Sequence, residues 1–224
     1  YADSLQLDRY FPGIQGFGFT QVVPASELER HQARLRAEGF HDYAIRPPGS
    51  RDPYTAIIYL EPFNVRNRRA FGYDMFSEEV RRVAMERARD TGQPALSGRV
   101  RLVQETEADI QHGVLLYLPV YRSGATLAGV AERQSALVGY VYAPFRMRDL
   151  MQGILGADTG DVDFWLFDGP LATPETELFR SAELADPASH LGADREFAAS
   201  RSLTIAGRTW SLHVAARPAY ISGV

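Results

Sequence analysis

Apolar and polar positions along this chain switch between the two-residue rhythm of strands and the 3.6-residue rhythm of helices. Residues 13–23, Gly13-Ile14-Gln15-Gly16-Phe17-Gly18-Phe19-Thr20-Gln21-Val22-Val23, read as a glycine-rich strand. Glycines inside a strand mark the close approach of another backbone or a ligand. Residues 26–38 take up helical spacing, with Ser26 and Glu29 at capping-box separation and Gly39 after the last periodic position. Strands rich in Ile and Tyr follow at about 42–46 and 55–61. Ser77 stands where it can cap a second helix. Glu78 and Glu79 lie in its first turn, Arg87 and Arg89 lie near its end, and Thr91-Gly92 stops it.

Strands are then expected over 97–104 and 113–121. The run Val114-Leu115-Leu116-Tyr117-Leu118-Pro119-Val120-Tyr121 is apolar on both faces, as a central strand is, until Pro119. Residues 122–135 are small, polar and glycine-containing and read as a long loop. A strand over 136–143, a helix over 147–155 and a strand over 162–167 come next. Residues 170–199, rich in Pro, Asp, Glu and Ala, read as irregular. The chain closes in a hairpin, 202–205 and 209–216 about an Ala206-Gly207 turn. Hairpin-type strands with interspersed helices predict an α+β fold with antiparallel sheets. The pattern runs roughly twice, which predicts two related subdomains, although no residue-level repeat accompanies it.

Composition narrows the class. A length of 224 residues with 45% hydrophobic residues gives enough material for a sizeable core. A net charge of −4 without a basic stripe argues against nucleic acid as a partner. The absence of cysteine excludes disulfides, thiolate metal sites and a cysteine nucleophile, and fits the periplasm and the cytoplasm equally well. No apolar run reaches 18 residues, no signal peptide is visible, and a start at Tyr1 without Met fits an excerpt of a longer protein.

The stretch from Tyr59 to Tyr121 carries a resemblance. Its words are Leu60-Glu61-Pro62 with Asn64, then Ala70-Phe71-Gly72-Tyr73-Asp74, then Ala84, Ala88 and Thr91-Gly92 along the helix. Arg101-Leu102-Val103, Gly113-Val114-Leu115 and Leu118-Pro119-Val120-Tyr121 complete the series, and Gly139-Tyr140-Val141 with Phe145 and Leu150 continues it. In this order and spacing they resemble the CHASE family, the extracellular sensor module of histidine kinases and nucleotide cyclases. The resemblance implies a long helix followed by two PAS-like subdomains, set between two transmembrane helices and usually dimeric. On that reading residues 1–10 end the N-terminal helix, and 11–124 form the membrane-distal ligand-binding subdomain. Residues 125–136 are then a linker loop and 137–224 the membrane-proximal subdomain. In the plant members, which are cytokinin receptors, an aspartate contacts the adenine ring, and Asp74 matches it. Leu96 matches a leucine that offers backbone contacts, and Thr106 a threonine that bonds the ligand. The family phenylalanine before Pro-Val-Tyr is Leu118 here, so the pocket shape must differ.

The residues themselves leave two roles open for Asp74. It can accept a hydrogen bond from a heterocycle N–H, or satisfy backbone N–H groups at the turn before Ser77. Leu115 and Tyr117 share one face of their strand, Leu116 and Leu118 the other. One of these faces lines a PAS-type pocket, or both are plain core. Tyr117, like Tyr140 and Tyr142 later, brings a hydroxyl that needs a partner when buried. The five histidines lie at no metal-ligand spacing, and no nucleophile elbow, phosphate loop or kinase signature is present. The expectation is a non-enzymatic extracytoplasmic sensor with neither metal nor cofactor. It would bind a small molecule, with an adenine-type cytokinin as the named candidate, at Asp74, Leu96, Thr106, Leu115, Tyr117, Leu118 and Tyr140. It would act as a homodimer anchored in the membrane by flanking helices. The alternative is a ligand-free dimerisation or protein-contact module whose pocket is filled by its own side chains.

Overall fold

The computed structural model describes residues 13–105, 109–156, 161–181 and 198–217. The expected helix end at Tyr1–Tyr10 and the candidate Thr106 lie outside the described residues. Among the described residues ten strands form two antiparallel sheets: β1 (Phe17–Val23), β2 (Tyr54–Glu61), β3 (Ala95–Leu96), β4 (Val100–Arg101), β5 (His112–Tyr121), β6 (Leu137–Arg146), β7 (Val162–Asp168), β8 (Glu177–Arg180), β9 (Ala198–Ile205) and β10 (Arg208–Ala216). Four helices accompany them: α1 (Leu28–Ala37), α2 (Glu79–Thr91), α3 (Val130–Ala136) and α4 (Met147–Leu155). The first sheet runs β2-β1-β6-β5-β3, with β4 also on β5, and the second runs β8-β7-β10-β9. The fold class is the expected one, α+β with antiparallel sheets.

One face of the first sheet is covered by α2, the other at its two ends. Against one face α2 packs Ala84, Met85 and Ala88, in a core with Ile57, Leu115, Tyr117, Tyr140 and Tyr142. On the other face α1 covers the β1–β2 end through Leu35, Val23 and Ala56. The second sheet and α4 cover the β5 end of that same face, where Leu96, Val114, Met147, Met151, Leu166, Phe179 and Trp210 form one cluster. The two-sided apolar pattern of β5 thus has a simple cause: one side meets α2 and the other meets the second sheet. Polar ties reinforce that contact. The Leu96 N–H donates to the Ala206 carbonyl at 3.1 Å, and the Arg99 N–H to Asp168 Oδ2 at 2.8 Å.

Several local expectations are corrected. Strand β6 was assigned with the proximal half, beginning at 137, yet it pairs with β1 and β5 inside the first sheet. Pairing across more than a hundred residues of sequence leaves no local mark. Residues 122–135, expected as loop, include most of α3. The strand expected at 42–46 is reduced to a single bridge between Arg46 and Tyr73. Of the strand expected over 97–104 only the two-residue β4 forms, with β3 just before that range, and β8 lies within the region read as irregular. Ser26 does not cap α1, which instead grows out of a 3₁₀ turn over Ala25–Glu27. Glu78, not Ser77, caps α2, its carboxylate accepting from the Val80 and Arg81 N–H groups at 3.0 Å each. The stop at Gly92 is as read, with a left-handed φ of 71°.

Candidate functional site

Strands β1, β6 and β5 lie side by side at the middle of the first sheet, and their register decides what faces α2. Tyr117 stands opposite Tyr142, and Thr20 opposite Tyr140. Directly opposed residues project from the same face, so these four side chains, with Leu115 and Ile57, look toward α2. Gly18 is opposite Tyr142, and a methyl group on it would come within 2.5 Å of the tyrosine ring. Glycine there is therefore the space that the phenol occupies; a backbone or a ligand was expected to approach this strand's glycines, and at Gly18 a side chain does so instead.

The hydroxyls on this face are poorly satisfied. Tyr140 and Thr20 are fully buried and Tyr142 nearly so, and none of the three hydroxyls has a hydrogen-bond partner among the described residues. The Tyr117 hydroxyl reaches only the Met75 sulfur, at 3.3 Å, a weak acceptor. Burial pushes all three phenols well above the ordinary tyrosine range, so they remain protonated. A buried hydroxyl without a partner costs about 1–3 kcal/mol, so a cluster of them is a concentrated defect in an otherwise packed core. Beside Tyr142 lies a hollow lined by Ile57, Tyr73, Met75, Arg81, Gln104 and Leu115, among others. It has a free volume of about 10 Å³, near the lower limit for a single water.

Asp74 sits next to this face but is turned into the structure. Its side chain is fully buried. Oδ1 accepts from the Thr55 N–H at 2.8 Å, the Thr55 hydroxyl at 3.2 Å and the Phe76 N–H at 3.1 Å, while Oδ2 accepts from Arg51 Nε at 2.6 Å. Of the two roles open in the sequence, the satisfaction of backbone N–H groups is the one realised in this conformation. The donors also include Thr55 and Arg51, about twenty residues upstream.

Of the seven candidates, Leu115, Tyr117 and Tyr140 come together on the α2 face. Leu96 and Leu118 do not. Leu96 pairs with Leu116, its side chain joins the cluster beneath the second sheet, and its N–H is engaged by Ala206. Leu118 also points away from α2 and is exposed, because the second sheet does not extend over that end of β5. Thr20, Tyr142, Met75 and Arg81 belong to the same constellation. The alternation Tyr140-Val141-Tyr142 could have identified Tyr142, whereas Thr20 and Arg81 carry no local signal. Among the described residues no group of three or more His, Asp or Glu side chains is placed to hold a metal ion.

A second polar centre lies at the β6–α4 junction. The fully buried Glu105 carboxylate meets Arg146 Nε at 2.9 Å and Arg66 at 3.3 Å. Arg146 also pairs with Asp109 and Asp149. This network ties the loop that walls the hollow (Leu102, Val103, Gln104) to α4, and through α4 to the second sheet. A third feature is a shallow surface depression of about 590 Å³ around Phe40, Phe63 and Phe71, with the Arg68 guanidinium over the Phe63 ring at 5.1 Å.

The chain is 27% identical over 138 residues to hybrid signal transduction histidine kinase A of Dictyostelium discoideum, a match covering 59% of this chain and 6% of the kinase. The chain therefore corresponds to a small part of that protein. An extracellular ligand binding receptor from Desulfohalobium retbaense DSM5692 superposes with a TM-score of 0.48 at 14% identity, over 95% of this chain and 32% of the receptor. Among the described residues no helix is long and apolar enough to cross a membrane. The CHASE domain family matches residues 1–179. This chain belongs to the CHASE family of extracellular sensor domains.

Proposed function

We propose that this chain is the extracytoplasmic small-molecule sensor of a membrane-anchored signalling receptor, and that its ligand enters the α2 face of the first sheet. One observation carries the reading: three buried hydroxyls without a partner among the described residues gather on one face, and one of them, Tyr142, lines a hollow. A core that served packing alone would replace them with phenylalanine and valine, because buried polar groups are normally satisfied. A ligand that supplies the missing partners removes the penalty and pulls the ensemble toward the occupied state, since it gains only where its contacts differ between states. The output route follows β5. Its α2 side lines the site, and its reverse side, at Val114 and Leu116, packs on the second sheet. Membrane anchors on either side, a homodimer, and a histidine kinase or nucleotide cyclase beyond the chain complete the proposal.

An adenine-type cytokinin read by Asp74, the narrower form of the proposal, would have to share Oδ2 with Arg51 or displace it. The second reading, a ligand-free dimerisation or contact module, is favoured by one observation: the hollow is nearly filled, with Leu115 and Tyr117 close-packed. A thermal-shift screen separates the two, using isopentenyladenine, ethylamine and short carboxylates as neutral, cationic and anionic probes. Dose-dependent stabilisation by at least one probe, reduced by Tyr142→Phe, is expected. No stabilisation by any of them refutes the sensor reading and leaves the contact module.

A further inference from the structure

The chemistry of the same face also sorts ligands by class, on the premise that the sensor reading above holds. The hydroxyls at hand each carry a proton that needs an acceptor. Among the described residues the Tyr140, Tyr142 and Thr20 hydroxyls lack acceptors, and burial keeps the phenols protonated. A ligand N–H offered to a phenol oxygen would still leave the phenol's own proton unpaired, so an acceptor resolves more of the defect than a donor does.

A guanidinium joins them. Arg81, buried on α2, lines the same hollow as Tyr142. It donates through Nη1 to Glu78 Oε2 at 3.1 Å and through Nη2 to the Arg101 carbonyl at 2.8 Å. A guanidinium has five N–H donors, so these two bonds leave capacity. Its ion-pair partner is only half committed. Glu78 is about one-third exposed and divides its carboxylate between Arg81 and the N–H groups that begin α2. The neighbouring carboxylate that could receive a ligand donor, Asp74, already accepts from four groups. The Tyr142 proton still needs an acceptor, and among the described residues the one full charge lining the hollow is positive.

We infer that the ligand is a compact organic anion, whose carboxylate is held by the Arg81 guanidinium and the Tyr142 hydroxyl, and not a purine read through Asp74. Arginine with a tyrosine hydroxyl is a fitting pair for a carboxylate, which accepts charge-assisted hydrogen bonds in the plane of its two oxygens. Compactness follows from the site, where the free volume of about 10 Å³ must be enlarged by side-chain movement before anything larger than water enters.

The test uses the whole 224-residue chain, with acetate, pyruvate and butyrate as probes. Isopentenyladenine and ethylamine serve as controls at matched ionic strength. Thermal shift and calorimetry are read on wild type, Arg81→Gln and Tyr142→Phe, each checked for native circular dichroism. Tyr142→Phe keeps the ring and so folds even if Arg81→Gln does not. The expected result is saturable stabilisation by at least one carboxylate and none by ethylamine. Each substitution should weaken that binding roughly ten- to a hundredfold, as loss of one charge-assisted hydrogen bond does. Stabilisation by isopentenyladenine alone overturns this inference and leaves the sensor reading standing. Carboxylate binding that survives both substitutions also overturns it, since the anion then sits elsewhere. Failure of every probe overturns both readings together.

Discussion

Replacing Tyr142 by phenylalanine should make the ligand-free protein more stable, against the usual direction of core substitutions. The ring is nearly fully buried between Gly18 and Tyr117, and the phenol oxygen has no partner among the described residues. Its removal takes away a desolvation penalty of about 1–3 kcal/mol. What is lost is one oxygen's van der Waals contacts, about 0.1–0.2 kcal/mol for each close neighbour. The net expectation is a gain of about 1 kcal/mol, or roughly 2–4 °C in Tm for a chain of this size. Urea denaturation monitored by circular dichroism reads it directly: the midpoint should rise with the slope unchanged, because the surface exposed on unfolding does not change. Tyr117→Phe is the internal control. Its hydroxyl already touches the Met75 sulfur, so its removal should be closer to neutral. A loss of 1 kcal/mol or more in Tyr142→Phe would show that the hydroxyl is satisfied in solution, and the case for an unmet donor at this site would fall with it.

Three other outcomes follow from the geometry. Asp74→Ala strips Arg51, Thr55 and Phe76 of an acceptor inside the fold; a cost of about 3–5 kcal/mol is expected, and a urea-measured loss under 1 kcal/mol would contradict a structural role for this carboxylate. Gly18→Ala drives a methyl into the Tyr142 ring; about 1–3 kcal/mol of overpacking is expected, and a double-mutant cycle with Tyr142→Val should recover most of it, whereas strict additivity would show that the two residues do not touch. His31, bonded to the Tyr43 hydroxyl at 2.9 Å, has its pKa pushed down to about 4, first by burial and then by the Arg34 charge. Its folded value lies below the unfolded one of about 6.5, so between those limits the unfolded chain binds more protons. Stability should therefore fall as pH drops from 6.5 toward 4, by at most about 3 kcal/mol, and His31→Gln should flatten that limb in urea titrations across the range.

What the sequence determined by itself was local in origin. The strand at 113–121 announced two buried faces through an unbroken apolar run, and the fold supplies a cover for each. Helix α2 stopped at its glycine, and the last hairpin turned at Ala206-Gly207, both of which take positive φ. The family words around Leu60–Tyr121 pointed to a sensor domain that the family match bears out. The alternation of Leu115 and Tyr117 against Leu116 and Leu118 was also legible. Which of those faces would be closed, and by what, was not, because that depends on elements far away in sequence. The second sheet buries Leu96 and partly covers Leu116 but leaves Leu118 in solvent. Asp74 looked open to a ligand because its partners, Arg51 and Thr55, lie about twenty residues upstream and carry no motif. Strand β6 read as the start of a second half because its pairing with β1 spans most of the first sheet's sequence. Only tertiary pairing could set Thr20, Tyr140 and Tyr142 side by side with nothing to bond to, since periodicity records which way a side chain points and not what meets it there.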